Sequence, residues 1–226
     1  MGHARDHGRR ETQTAVNVQI FEYGDPASDR VLLQPVDDHD LAGIEDEVAA
    51  IRERTADFRL IAVKVNDWNR DLSPWSAPPV FGNEPFGEGA ADFLDAILSL
   101  CADKRKTYYL GGYSLAGLFA LWAAHETDAF VGVAAASPSV WFPGFAAYLQ
   151  THPIRAKRVY LSLGDREEKT RNPVMATVGT RIREAYDLLR SRGTDCTLEW
   201  NPGNHFKDPD LRTARAFLWA LGEASA

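Results

Sequence analysis

Tyr108-Tyr109-Leu110-Gly111-Gly112-Tyr113-Ser114-Leu115-Ala116-Gly117-Leu118-Phe119-Ala120-Leu121-Trp122 reads as a strand, a glycine-flanked serine and an apolar helix. A serine at the tip of such a strand-to-helix turn has its hydroxyl pushed out of the sheet, the arrangement called a nucleophile elbow. The turn is so tight that small neighbours are needed where strand and helix nearly touch. Gly112 and Gly117 meet that demand. Ala116 stands where the usual Gly-x-Ser-x-Gly spacing has its second glycine, and its single methyl keeps the turn feasible. The competing reading makes Ser114 a helix N-cap, a common place for serine ahead of an apolar run. The elbow asks more of the chain: a carboxylate and then a histidine, both after Ser114.

Three histidines follow Ser114. His125 lies three turns into the helix that Ser114 starts, too far along it to face the elbow, and His152 sits in a polar turn before Pro153. Both read as structural. His205 stands in Asn201-Pro202-Gly203-Asn204-His205-Phe206, a turn-rich loop directly after an expected strand. A loop at the carboxyl end of a late strand lets an imidazole reach across to the elbow. The acid is less determined. Ser162-Leu163-Gly164-Asp165-Arg166-Glu167-Glu168-Lys169 offers three carboxylates after a strand, and charge runs of this kind are usually solvated loops. One of them must lie against the imidazole to hold its tautomer. Spacing alone does not choose among Asp165, Glu167 and Glu168.

Short apolar runs alternate with helical patterns along the chain, the signature of a mostly parallel sheet covered on both faces, an α/β fold. About seven strands are expected: Val16 to Tyr23, Val31 to Val36, Leu60 to Val65, Thr107 to Leu110, Val131 to Ala136, Arg158 to Leu163 and Cys196 to Trp200. Phe93, Leu94, Ile97, Leu98 and Cys101 mark one face of a helix from Gly89 to Ala102. Val178, Ile182, Tyr186 and Leu189 mark another before Gly193. Asp208-Pro209 opens a final helix to Leu221. The longest irregular piece, Asn66 to Glu88, leaves no room for a large lid domain. It follows a strand and so is expected over the carboxyl edge of the sheet, where ligands bind in open α/β folds. Trp75, Trp141 and Phe142 are candidates to line a substrate pocket there, or else to cover the sheet edge as ordinary core. Arg70, between Asp67 and Asp71, reads as a structural ion pair.

The 226 residues fit one α/β domain, and a formal net charge of −7 argues against nucleic acid or an anionic membrane as partner. No apolar run approaches the roughly 18 residues of a membrane span. The polar start, with no apolar core after Arg9-Arg10, predicts no secretory or twin-arginine signal. Residues 1–13 are expected to be a disordered arm and 14–226 a single domain. His3 and His7 in that arm read as a solvated tail rather than metal ligands. Cys101 and Cys196 suit two buried thiols in a reducing compartment, which points to the cytoplasm, and neither has a metal-ligand spacing. Asp37, Asp38, His39 and Asp40 suggest a metal site only weakly, since no later residues supply matching ligands, and Asp40 reads as a helix N-cap.

Gly112-Tyr113-Ser114-Leu115-Ala116-Gly117, Ala136-Ser137-Pro138-Ser139-Val140-Trp141, Leu163-Gly164-Asp165-Arg166-Glu167 and Gly203-Asn204-His205 together resemble an esterase family of α/β-hydrolases. That family includes siderophore (enterochelin-type) esterases, feruloyl esterases, S-formylglutathione hydrolase and mycolyltransferases, and the likeness spans most of the chain. It implies an α/β-hydrolase fold and, because the family's acid comes three residues after the glycine ending the preceding strand, Glu167 as the acid beside Ser114 and His205. It also implies an oxyanion hole of backbone N–H groups from Leu115 and from Val36 or Asp37. The expected activity is hydrolysis of a small-molecule acyl, aryl or siderophore-type ester through an acyl-enzyme, with no cofactor and no metal. An acyltransferase using the same serine, or a non-catalytic protein of the same fold, are the alternatives. The oligomeric state is left open.

Overall fold

The computed structural model describes residues 10–13 and 18–223. Its eight strands are β1 (Arg10–Gln13), β2 (Gln19–Gly24), β3 (Arg30–Val36), β4 (Arg59–Lys64), β5 (Thr107–Tyr113), β6 (Phe130–Ala136), β7 (Arg158–Gly164) and β8 (Asp195–Asn201). Seven α-helices lie between and after them: α1 (Asp38–Arg52), α2 (Trp68–Asp71), α3 (Ala90–Ser99), α4 (Leu115–Glu126), α5 (Phe145–Thr151), α6 (Val178–Ser191) and α7 (Pro209–Leu221). The strands form one sheet in the order β1-β2-β4-β3-β5-β6-β7-β8. β1 and β2 run antiparallel, and everything from β4 to β8 is parallel.

The expected α/β architecture is present, with one more strand than the sequence suggested. Arg10–Gln13, assigned to the arm by composition, pairs with β2 from Arg10↔Glu22 to Gln13↔Gln19. His3 and His7, with the start of the arm, and Val16, at the head of the expected first strand, lie outside the described residues. β5 runs three residues past its expected end, to Tyr113, so the strand delivers the chain directly to Ser114.

Because successive strand residues face opposite sides, the parallel strands feed two cores. On one side Leu33, Val63, Leu110 and Val133 pack with Phe93 of α3, Phe119 of α4 and Ile182 of α6. On the other, Leu32, Leu60, Tyr109 and Tyr160 pack with Val48 and Ile51 of α1 and Phe217 of α7. α4 is buried from Leu115 to His125, as its uncharged run from Leu115 to Ala124 requires. α1 is capped differently from expectation. Asp37, not Asp40, is the N-cap, and Asp40 is its reciprocal partner: Asp37 Oδ1 accepts the Asp40 N–H at 2.8 Å and Asp40 Oδ2 accepts the Asp37 N–H at 3.1 Å.

Candidate active site

Ser114 sits between β5 and α4 at φ +56°, ψ −118°, a backbone region that a side-chain-bearing residue occupies only under strain. Its surroundings hold it there. The Ser114 N–H donates to Ala136 O at 3.1 Å, and its carbonyl accepts Leu118 N–H (3.1 Å) and Ser139 N–H (3.0 Å). The glycine pattern now has a geometric reason, since a Cβ on Gly112 would stand 2.6 Å from the Ala116 Cβ. Strand and helix touch there, and one of the two positions must be glycine. Gly112 takes that role and so permits Ala116.

From Ser114 a chain of hydrogen bonds runs inward. Ser114 Oγ lies 3.0 Å from His205 Nε2, and His205 Nδ1 lies 2.7 Å from Glu167 Oε2. The network fixes the tautomer: Nδ1 carries the proton toward the carboxylate and Nε2 accepts from the serine. Of the three carboxylates that spacing left open, Glu167 reaches the imidazole. Asp165 instead accepts the Gly203 N–H at 2.8 Å, and Glu168 pairs with Arg183 at 3.2 Å. The two structural readings hold as well: His125 is buried in α4 and His152 follows α5.

The Glu167 side chain is only 5% exposed, and its second oxygen is saturated with donors. Oε1 accepts from Gly164 N–H (2.7 Å), Ser137 Oγ (2.8 Å) and Arg212 Nη1 (3.1 Å). Arg212 is itself buried, and its other nitrogen donates to Pro202 O (3.1 Å) and Asn204 O (3.2 Å). One guanidinium therefore holds both the acid and the loop carrying His205. Tyr113 adds a further tie, its hydroxyl donating to His205 O at 2.8 Å while burial and the nearby Glu167 charge push it up to about 12. The β7 end and the His205 loop meet so closely that a Cβ on Gly164 would fall 2.4 Å from Gly203 O.

A cavity of about 510 Å³ opens over Ser114 and His205, lined by Phe81, Trp141, Met175, Val178 and Phe206 with Arg166 and Lys169. That volume lies within the range of small-molecule sites. Trp141 lines it as expected. Trp75 and Phe142 do not. The Trp75 Nε1–H donates to Pro143 O at 2.8 Å and its ring packs on Phe142 and Tyr148; Phe142 is fully buried against Phe86. Their aromatic surface is used to fix the segments that flank the site. Arg70 pairs with Asp71 at 2.8 Å, the structural role read for it.

The expected oxyanion donors divide. Leu115 is the first residue of α4, where a helix leaves its N–H groups without intrahelical acceptors. The Asp37 N–H is committed to Asp40 in the capping box, which removes it as a donor. Val36 is the last residue of β3, and its carbonyl accepts the Val65 N–H at 2.9 Å. A strand residue's amide points the same way as its carbonyl, so the Val36 N–H faces β4 rather than Ser114. Ser139 Oγ lies 3.3 Å from Ser114 Oγ, and with the Ser114 hydroxyl donating to His205 Nε2 it is the donor of that pair.

Arg212 and Phe206 are the residues that reading the sequence missed; Ser137 and Ser139 stood in a motif of the resemblance, and Phe81 in the Asn66 to Glu88 piece, without a role of their own. Arg212 left one signal, being a charge in register with Ala216 and Ala220 on the buried face of α7. Phe206 left none beyond adjacency to His205.

No protein-family model matches the chain, and no curated protein matches it in sequence. Solved structures do match in fold. An IroE-like serine hydrolase from Shewanella oneidensis superposes with a TM-score of 0.70 at 14% identity, over 92% of this chain and 78% of that one. Siderophore hydrolase EstA from Aspergillus nidulans gives 0.66 at 20% identity, over 98% and 96%. Enterobactin esterase FES from Shigella flexneri gives 0.62 at 14% identity, over 94% of this chain and 59% of that one. The chain has the α/β-hydrolase fold, shared with these hydrolases.

Proposed function

We propose that this protein is a serine esterase that cleaves small acyl, aryl or siderophore-type esters through an acyl-enzyme on Ser114. The observation that carries the reading is the continuous hydrogen-bonded chain from Ser114 through His205 to Glu167, at 3.0 and 2.7 Å. Ser114 Oγ attacks the ester carbonyl carbon as its proton passes to His205 Nε2. The tetrahedral intermediate collapses, and the departing alkoxide takes that proton from the imidazolium. Water then attacks the acyl-enzyme with His205 again as base, releasing the carboxylic acid and regenerating Ser114. Glu167 stabilises the imidazolium while Arg212 matches its charge. Leu115 N–H and the Ser139 hydroxyl are the donors suited to the oxyanion, at about 2.7–4 kcal/mol for a well-aimed donor.

The apolar lining of the cavity suits short acyl or aryl groups against Trp141, and neighbours named as a siderophore hydrolase and an enterobactin esterase support that ester class. Labelling with a fluorophosphonate tests the nucleophile: wild-type protein is expected to be modified and Ser114→Ala is not. A panel of 4-nitrophenyl esters of rising chain length is expected to give a kcat/KM maximum between acetyl and butyryl. Undiminished hydrolysis by Ser114→Ala overturns the assignment, and a steady rise to dodecanoyl esters overturns the short-chain specificity.

A further inference from the structure

A second cavity, of about 270 Å³, adjoins the first, with Phe206 lining both and Tyr113, the neighbour of the nucleophile, on its wall. Its lining includes three carboxyl side chains, Asp40 and Glu47 of α1 and Asp210 of α7, and no lysine or arginine. A buried pair behind its lining is incompletely satisfied. Gln34 and Glu47 are each only 3% exposed, and Gln34 Nε2 donates to Glu47 Oε2 at 3.1 Å. Gln34 Oε1 and Glu47 Oε1 have no hydrogen-bond partner. Buried acceptors without donors are costly to a fold, and nearby hydroxyls are engaged elsewhere, since Tyr113 donates to His205 O and Thr213 to Pro209 O.

We propose that this cavity is a subsite for a primary alkylammonium group, which a substrate would carry while its ester lies at Ser114. The match is one of chemistry. An ammonium brings three donors and no acceptor to a cavity lined by three carboxyl-bearing residues and backed by an under-donated buried pair, and its positive charge answers Asp40 and Asp210. No trio of His, Cys, Asp or Glu among the described residues is arranged for a metal ion, which favours an organic cation. Placement on an ester substrate rests on the esterase reading. Ammonium binding does not.

The subsite carries its own proton linkage. Burial pushes Glu47 up to about 8, with the charges of Asp40 and Asp210 acting in the same direction and Gln34 opposing them. Asp40 is raised to about 6, chiefly by burial, with Asp37 and the exposed His39 beside it. At neutral pH, Glu47 holds a proton. An arriving ammonium supplies donors and positive charge beside it and expels that proton.

Calorimetry with n-butylammonium chloride tests this directly, with n-butanol as the neutral isostere. Wild-type and Ser114→Ala proteins are expected to bind one butylammonium and no butanol. Runs at pH 7 in buffers of differing ionisation heat should show net proton release by wild type. Glu47→Gln, which resembles the protonated acid in shape, should bind at least tenfold more weakly and release none. Asp210→Asn, at a half-buried residue and so safer for the fold, should also weaken binding severalfold. Kinetically, 4-nitrophenyl 6-aminohexanoate should be preferred over the isosteric heptanoate in wild type, and the preference should vanish in both variants. Butylammonium binding no tighter than butanol, or unchanged in both variants, overturns the subsite. If binding follows the proposal while fluorophosphonate labelling fails, it is the esterase reading that falls.

Discussion

Glu167 and Glu47 are both buried glutamates, yet their surroundings differ in one respect that decides their chemistry. Glu167 is met by a backbone N–H, a serine hydroxyl, an imidazole and a guanidinium. Glu47 is met by a single amide. Burial disfavours a carboxylate in both places, and donors determine whether that cost is offset. At the first site every carboxyl oxygen has a donor, one of them a neighbouring histidine. At the second, the acid keeps its proton at neutral pH. The fold thus places a fully hydrogen-bonded carboxyl group and a protonated acid in two cavities that share Phe206.

The strongest test of this contrast is Glu167→Gln, which keeps the shape and removes the charge. It is expected to lower kcat by about 10⁴, as loss of a triad carboxylate does, whereas Asp165→Asn and Glu168→Gln should change kcat by only a few-fold. Silence of all three would reduce the machinery to Ser114 and His205. Next is Arg212→Met. Removing one partner of a buried ion pair costs about 3–5 kcal/mol, measurable by urea denaturation. Activity should fall as well, and the double variant with Glu167→Gln should be less destabilised than the sum of the two singles.

Glu47 gives a smaller effect of distinctive sign. Its folded-state value is raised above its ordinary 4.5, so the stability it lends is fully present below about 4.5 and is lost as pH rises through about 8. Glu47→Gln should flatten that decline, which approaches roughly 1.4 kcal/mol per pH unit within the window. His125 has the opposite limb. Burial lowers it from 6.5 to about 4, so its contribution is complete above 6.5 and is lost as pH falls through about 4. His125→Phe should remove part of that acid-side loss, on the order of 1–2 kcal/mol. Smallest is Trp141→Ala. It should reduce kcat/KM for aryl esters by about tenfold, the scale of one aromatic contact, and spare acetyl esters.

Much of this site was legible before any fold was seen, because elbow chemistry forces local sequence: a strand, small residues and an apolar helix must be contiguous around Ser114. The carboxylate resisted the same treatment. Asp165, Glu167 and Glu168 look alike in sequence, and what separates them is which partner the β7 turn aims each one at. Trp75 and Phe142 were misplaced for a related reason, since an aromatic on a loop has the same pattern whether it faces ligand or protein. The second oxyanion donor was misread because Asp37 and Asp40 form a capping box, a reciprocal pair that single-residue cap rules do not reveal. Arg212 lies about 100 residues from Tyr113 and 45 from Glu167, and nothing local announces such a meeting.

Strand order has a consequence for how the molecule acquires activity. Ser114, Glu167 and His205 follow β5, β7 and β8, which belong to one continuous sheet only once β6 lies between β5 and β7 and every parallel neighbour is joined through its helical crossover. Such pairings are non-local and form slowly compared with helices. During refolding from denaturant, ellipticity from the helices should therefore return first, and ester turnover should be among the last signals to recover, making hydrolysis itself a clock for completion of the sheet.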